Sequence, residues 1–383
     1  MKTAALVGIL LLPFLSLVAE ETPTITIRKG EGVNLSLQSI GGADGAAVSK
    51  VLKNDLELAA WFSMVDAGKG GYVVSGNTTG GVLEGKVVDR GGSTVLSKTY
   101  RGSARDNAHH FTNDIVETLT GNKGMATSKI AFVSTHSGKK EIYMADYDGA
   151  NVNQLTRDGV ISVSPALSPD ARKLAYTGYQ SGYADIYLIE LGSGARNRIV
   201  KFPGTNSGAS FSPDGGRIAA MVSKDGNPEL YVISLGIMGA HRLTHSRGAE
   251  SSPSWSPDGK EIVYCSDDAG SPQLYRIPSG GGNPSRVQTG HNYCTEPDWS
   301  PDGKRIAFNV RGGGGFSIAI LDTQNGSTRV VGSGNAENPT WGPDSRHILY
   351  SNGSGLILLD VPTGHTTNIV SGLGKVTEPT WSR

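Results

Sequence analysis

The side chains able to do chemistry fall into a few groups. His109 and His110 adjoin within "ARDNAHHFTNDIVETLTG", a stretch with helical spacing. Consecutive helical residues point apart, so one packed and one exposed histidine is expected rather than a shared metal site. Glu296, Asn338 and Glu378, with Glu250 and Glu337 near, are oxygen donors of the kind a calcium ion takes, but no general base of obvious kind accompanies them. Neither a G-x-S-x-G nucleophile motif nor an H-E-x-x-H zinc motif occurs. The glycine run "RGGGGF", Arg311 to Phe316, lacks the lysine of a phosphate loop and reads as a turn. Cys265 and Cys294 fit no zinc spacing. No catalytic residue and no cofactor is expected from these groups.

What would position them is a repeat. Aligned on S-P-D, Ser168, Ser212, Ser256 and Ser300 stand 44 residues apart, and a degenerate G-P-D at Gly342 follows after 42. Six positions past each marker an apolar residue opens a strand, at Leu174, Ile218, Ile262, Ile306 and Ile348, and the period carried backwards reaches Ile130 in "KIAFVS". Each unit reads as four short strands, the first ending in Leu167, Phe211, Trp255, Trp299, Trp341 or Trp381. S-P-D-G suits a type I turn followed by a left-handed residue; Ala171 and Ser345 replace the glycine in two copies, where slight strain is expected.

A four-stranded unit this small cannot bury both faces alone, whereas units arranged radially can, which predicts an all-β six-bladed β-propeller over 124–383. The repeat opens at "KIAFVS" without a first strand, while "VTEPTW" is a first strand without a second. Joined, they would close the ring with the C-terminal strand and leave no sheet edge there. Cys265 ends one second strand and Cys294 opens the next unit's first strand, so a disulfide and two separately packed thiols both remain open, the bond requiring Cα atoms within about 7 Å.

Residues 20–123 do not share the period. "AAVSKVLKNDLELAAWFSMV" places Val48, Val51, Leu52, Leu56, Ala59 and Phe62 at helical spacing, and a second helix carries Ala108, Phe111, Ile115 and Leu119 up to a stop at Gly121. Between them "YVVSG", "VLEGKVVD" and "TVLSKTY" alternate like strands, giving a separate α/β N-terminal domain. The stretch 1–19, one lysine and then an apolar run to Val18, reads as a signal peptide rather than an anchor, because Pro13 interrupts it and it is short for a span. Lys plus Arg equals Asp plus Glu at 35 each, which favours neither nucleic acid nor an anionic membrane surface. A monomer without membrane insertion is expected.

The combination of "KNDLELAAWF", "NAHHFTNDIVETLTGNKG" feeding into "KIAFVS", S-P-D-G units and a final "EPTWSR" resembles the TolB family of the Tol-Pal system, from about Thr24 to the last residue. The resemblance implies a non-enzymatic periplasmic protein that supports outer-membrane integrity and cell division. It implies two partners: the lipoprotein Pal at the mouth of the propeller channel, and TolA through the segment after the signal peptide. Carried onto this sequence, the Pal contacts are Val163, Thr205, Gly208, Ser251, Ser252, Thr295, Glu296, Asn338, Thr377 and Glu378, with Ser164 in the same ring, and the TolA contacts are Thr24, Ile25, Thr26, Ile27 and Arg28. The threonine and glutamate of "TEP" occur only at Thr295, Glu296 and at Thr377, Glu378. The competing expectation is an exported lactonase-like propeller enzyme holding calcium in its channel.

Overall fold

The computed structural model describes residues 32–237 and 239–383, so the signal-peptide stretch and the segment Thr24 to Arg28 lie outside the described residues. The first part packs two helices on a sheet. Helix α1, Gly45–Leu58, turns Val48, Leu52 and Leu56 inward, and α2, Ala104–Thr120, does the same with Ala108, Phe111 and Ile115. Ser103 caps α2 by accepting the Asp106 N–H at 3.1 Å, and Gly121 ends it at φ 69°, its N–H on the Glu117 carbonyl. Phe62, expected on the first helix, instead opens a strand, Phe62–Met64, because Ala60 takes φ 56° and stops the helix.

The sheet order is Phe62–Met64, Val33–Leu37, Tyr72–Thr79, Val82–Asp89, Thr94–Arg101, the first two pairings parallel and the last two antiparallel. Gly85 lets Phe111 lie on this sheet: a Cβ there would stand 2.8 Å from the ring.

From Lys129 the chain is all β. Four antiparallel sheets have the four strands the repeat calls for; the first runs Ser162–Leu167, Lys173–Gly178, Asp185–Glu190, Arg196–Val200. A fifth sheet has seven strands, because Thr366–Trp381 pairs with Gly353–Asp360 along its first part and with Lys129–Ser134 along its last. In that second pairing Trp381 stands opposite Ile130 and Val376 opposite Ser134. The Trp381 indole is 3% exposed, donates to Ser128 Oγ at 2.7 Å, and lies against Gly342. A Cβ on Gly342 would come within 3.1 Å of that ring, which accounts for glycine where the other copies have serine.

The S-P-D turns are built by their serines. Ser168 Oγ–H donates to Asp170 Oδ1 at 2.6 Å and accepts the Lys173 N–H at 2.9 Å, and Ser256 and Ser300 repeat both bonds. The Ser256 hydroxyl lowers the Asp258 carboxyl to about 2. Gly215, Gly259 and Gly303 close their turns with φ between 68° and 75°, and Ala171 and Ser345 adopt the same left-handed conformation at 54° and 55°.

The two parts meet through polar groups. Asp55 is fully buried and accepts from Tyr147 Oη at 2.8 Å and Thr112 Oγ1 at 3.3 Å, with His109 Nδ1 at 2.7 Å. His110 is exposed. Arg105 bonds Asp146 at 2.6 Å and also Asp148, while Arg346 donates to the Ala60 carbonyl at 2.8 Å and lies 4.0 Å over the Trp61 ring.

Candidate functional site

Each first strand of the repeat carries one extra residue, a β-bulge. In the first sheet Val163 faces Thr177 and Ala166 faces Ala175, leaving Ser164 and Pro165 opposite one residue. The same register shift recurs in the other five first strands. The leading bulge residues, Ser164, Gly208, Ser252, Glu296, Asn338 and Glu378, all lie in the left-handed region, with φ from 50° to 65°. Five of the six are followed by proline, which has no N–H to lose from the ladder, the exception being Ala209. Non-glycine residues in this conformation are costly, and their recurrence at one height of five strands, with glycine in the sixth, marks a constrained feature.

The bulges surround a central channel of about 930 Å³. Side chains of one strand hold the backbone of the next. Glu296 Oε2 accepts the Asn338 N–H at 3.1 Å, Asn338 Oδ1 accepts the Glu378 N–H at 3.3 Å, and Glu378 Oε2 accepts the Ser164 N–H at 2.7 Å. Two residues deeper, Ser254 Oγ accepts the Trp299 N–H at 3.0 Å, Asp298 Oδ2 the Trp341 N–H at 2.7 Å, and Thr380 Oγ1 the Leu167 N–H at 3.4 Å. Arg383 reaches the channel wall and pairs with Asp298 Oδ1.

Glu296 is open to the channel on one side and crowded by protein on the others. Burial raises its carboxyl to about 7, Glu337 and Glu378 push the same way, and the Asn338 N–H opposes them. Of the acidic residues considered as calcium donors, Glu296 and Glu378 are engaged by backbone amides and Glu250 by the hydroxyls of Ser246 and Ser266, and among the described residues no three His, Cys, Asp or Glu side chains converge on a metal position.

Of the residues expected at this mouth, Val163, Gly208, Ser252, Glu296, Asn338, Thr377 and Glu378 line the channel. Ser251 and Thr295 precede their bulges and pair with Cys265 and Asn309 in the ladder, and neither lines the channel. Thr205 is displaced by two residues: register puts Ser207, facing Met221, at the position equivalent to Val163, while Thr205 is exposed and bonds Ser223. Ile161, Tyr179, Lys140, Lys375 and Arg383 in the lining were not picked out from the sequence, nor were the prolines at 165, 253, 297, 339 and 379, although a proline after five of the six leading residues was the available signal.

Cys265 and Cys294 form no disulfide. The Cys265 thiol donates to the Cys294 carbonyl, 3.5 Å away, and Cys294 Sγ lies 3.2 Å from Thr289 Oγ1. Burial raises the Cys265 thiol to about 12 and raises Cys294 as well, so neither is a ready nucleophile.

A family model described as the TolB beta propeller domain matches residues 116–383, more than half of the chain. The chain belongs to the TolB β-propeller family. The Tol-Pal system protein TolB of Geobacter sulfurreducens is 36% identical over 170 residues, 35% of this chain and 39% of that protein. The TolB homolog of Chlorobium chlorochromatii is 43% identical over 117 residues, 28% of this chain and 27% of that protein. The matched stretches thus span less than half the length of these relatives. The crystal structure of TolB from Acinetobacter baumannii superposes with a TM-score of 0.83 at 26% identity, covering 92% of this chain and 97% of that one. The fold is a TolB-like propeller preceded by a small helical region. No helix among the described residues is long and apolar enough to cross a membrane.

Proposed function

We propose that this chain is a non-enzymatic periplasmic interaction protein of the Tol-Pal system that receives a protruding segment of Pal in the channel mouth and engages TolA through Thr24 to Arg28, in support of envelope integrity and cell division. In this reading the α/β domain covers 20–123 and the propeller 124–383. On that reading the seven-stranded sheet is two blades joined by Thr366–Trp381, so six blades close into a ring whose closing seam is paired. The observation that carries the binding site is the ring of six left-handed bulges.

Much of that ring is held before any partner arrives, because at three of its junctions side chains of one blade already fix the backbone of the next. A preformed polar cup loses little entropy on binding, and its floor of prolines offers apolar contact beneath the polar rim. Titration calorimetry with the purified periplasmic domain of Pal tests the reading. Binding is expected for the intact protein and at least tenfold loss for Glu296→Ala combined with Glu378→Ala; equal affinity of the two would remove the channel from the interface. Unaltered TolA affinity after removal of residues 20–32 would remove the amino-terminal assignment.

A further inference from the structure

The bulge ring is not uniform. Four of the six leading N–H groups, those of Ser164, Gly208, Asn338 and Glu378, are taken by the blade before, either by that blade's own leading side chain or by the residue facing the position ahead of the bulge; no side chain among the described residues accepts from Ser252 or Glu296, but for Glu296 both positions are filled, by Ser252 and Cys265. Glu378 and Asn338 serve Ser164 and Glu378 in the first way. Thr177 serves Gly208 in the second way at 3.2 Å, and Asn338 receives both kinds, from Glu296 and from Asn309, each at 3.1 Å. For Ser252 the two positions of the preceding blade that would supply an acceptor are Gly208 and Met221. Glycine has no side chain and a thioether is a weak acceptor. Accordingly no side chain among the described residues accepts from the Ser252 N–H, and nothing stands within 4 Å of where a Cβ on Gly208 would lie.

We propose that this notch, Gly208 and Met221 below the Ser252 amide, is where the inserted Pal segment anchors, by placing a main-chain carbonyl oxygen on the Ser252 N–H. The inference rests on the channel mouth being the Pal site. A neutral carbonyl suits the notch better than a carboxylate, because the same ring carries Glu296, Glu337 and Glu378. The bound carbonyl would complete at Ser252 the pattern that the protein's own side chains complete at Ser164, Gly208, Asn338 and Glu378.

The test is to supply the missing acceptor from within. Gly208→Asn puts at φ 65° the residue that Asn338 already is at φ 56°, and Met221→Thr copies Thr177. Each is expected to weaken binding of the Pal periplasmic domain at least tenfold while the melting temperature stays level or rises. Gly208→Ala, which adds bulk without an acceptor, is expected to bind within about threefold of the unaltered protein. Wild-type affinity in both acceptor variants would overturn the proposal, as would an alanine variant as weak as the asparagine one. Absence of binding by the unaltered protein would instead overturn the Pal reading itself.

Discussion

Replacing Glu250 by glutamine should stabilise the protein above neutral pH and leave it nearly unchanged near pH 5. Equivalent positions of successive blades bring the first residue of a third strand beside the first residue of the next blade's first strand: the Asn206 N–H donates to the Ala184 carbonyl and the Glu250 N–H to the Pro228 carbonyl, each at 3.0 Å. In the earlier blade this pairs Asp185 with Asn206, whose amide donates at 3.2 Å. In the next it pairs Glu229 with Glu250, both buried, each with an unpartnered Oε2. Glu229 has Arg242 at 2.8 Å and the Ser246 N–H; Glu250 has only the hydroxyls of Ser246 and Ser266. Burial, with Glu229 and Asp268 adding to it, raises the Glu250 carboxyl from 4.5 to about 7.

A carboxyl with a raised folded-state pKa favours folding fully below its unfolded value and loses that contribution as pH rises through the folded one. The loss therefore falls between about pH 4.5 and 7, and at pH 8 it amounts to about 3 kcal/mol. Glutamine has no ionisation to suppress and can donate to Glu229. Calorimetric melting at pH 5 and pH 8 should show the variant several degrees above the unaltered protein at pH 8 only. A variant equally displaced at both pH values, or destabilised at pH 8, would refute this reasoning.

Trp381→Ala should cost about 3 to 5 kcal/mol in urea unfolding, because it empties a buried seam between the last strand and Lys129–Ser134; a change below about 1 kcal/mol would mean that this seam contributes little. Asp55→Ala strips the shared acceptor from Tyr147 and Thr112 at the junction of the two parts and should destabilise by about 3 kcal/mol, read by the same method. Ala171→Gly relieves a left-handed alanine and should stabilise by about 1 kcal/mol. Cys265 and Cys294 should resist a thiol reagent at pH 8 until the protein is unfolded.

The repeat was legible because its turn chemistry is local: serine, proline, aspartate and glycine act within one short loop, so the period survives even where Ala171 or Ser345 departs from it. The helices were legible from apolar spacing, but the end of the first was not, since Ala60 carries no letter that marks a left-handed stop. The leading mouth residues are legible by counting back three from each Leu, Phe or Trp, because all six strands share one register; the same count places Ser207, four before Phe211, where Thr205 was expected. The bulge itself is a backbone property, hinted at by the recurrent prolines. The Glu229–Glu250 contact joins residues that only strand pairing brings together, and neither letter alone announces the other.

Amide hydrogen exchange of the full chain with and without the Pal periplasmic domain tests the channel-mouth assignment most directly. Slowed exchange is expected in the six bulge segments around Ser164, Gly208, Ser252, Glu296, Asn338 and Glu378, with the S-P-D turns at the opposite end unchanged. Protection confined to those turns, or to the outer strands of the blades, would contradict it.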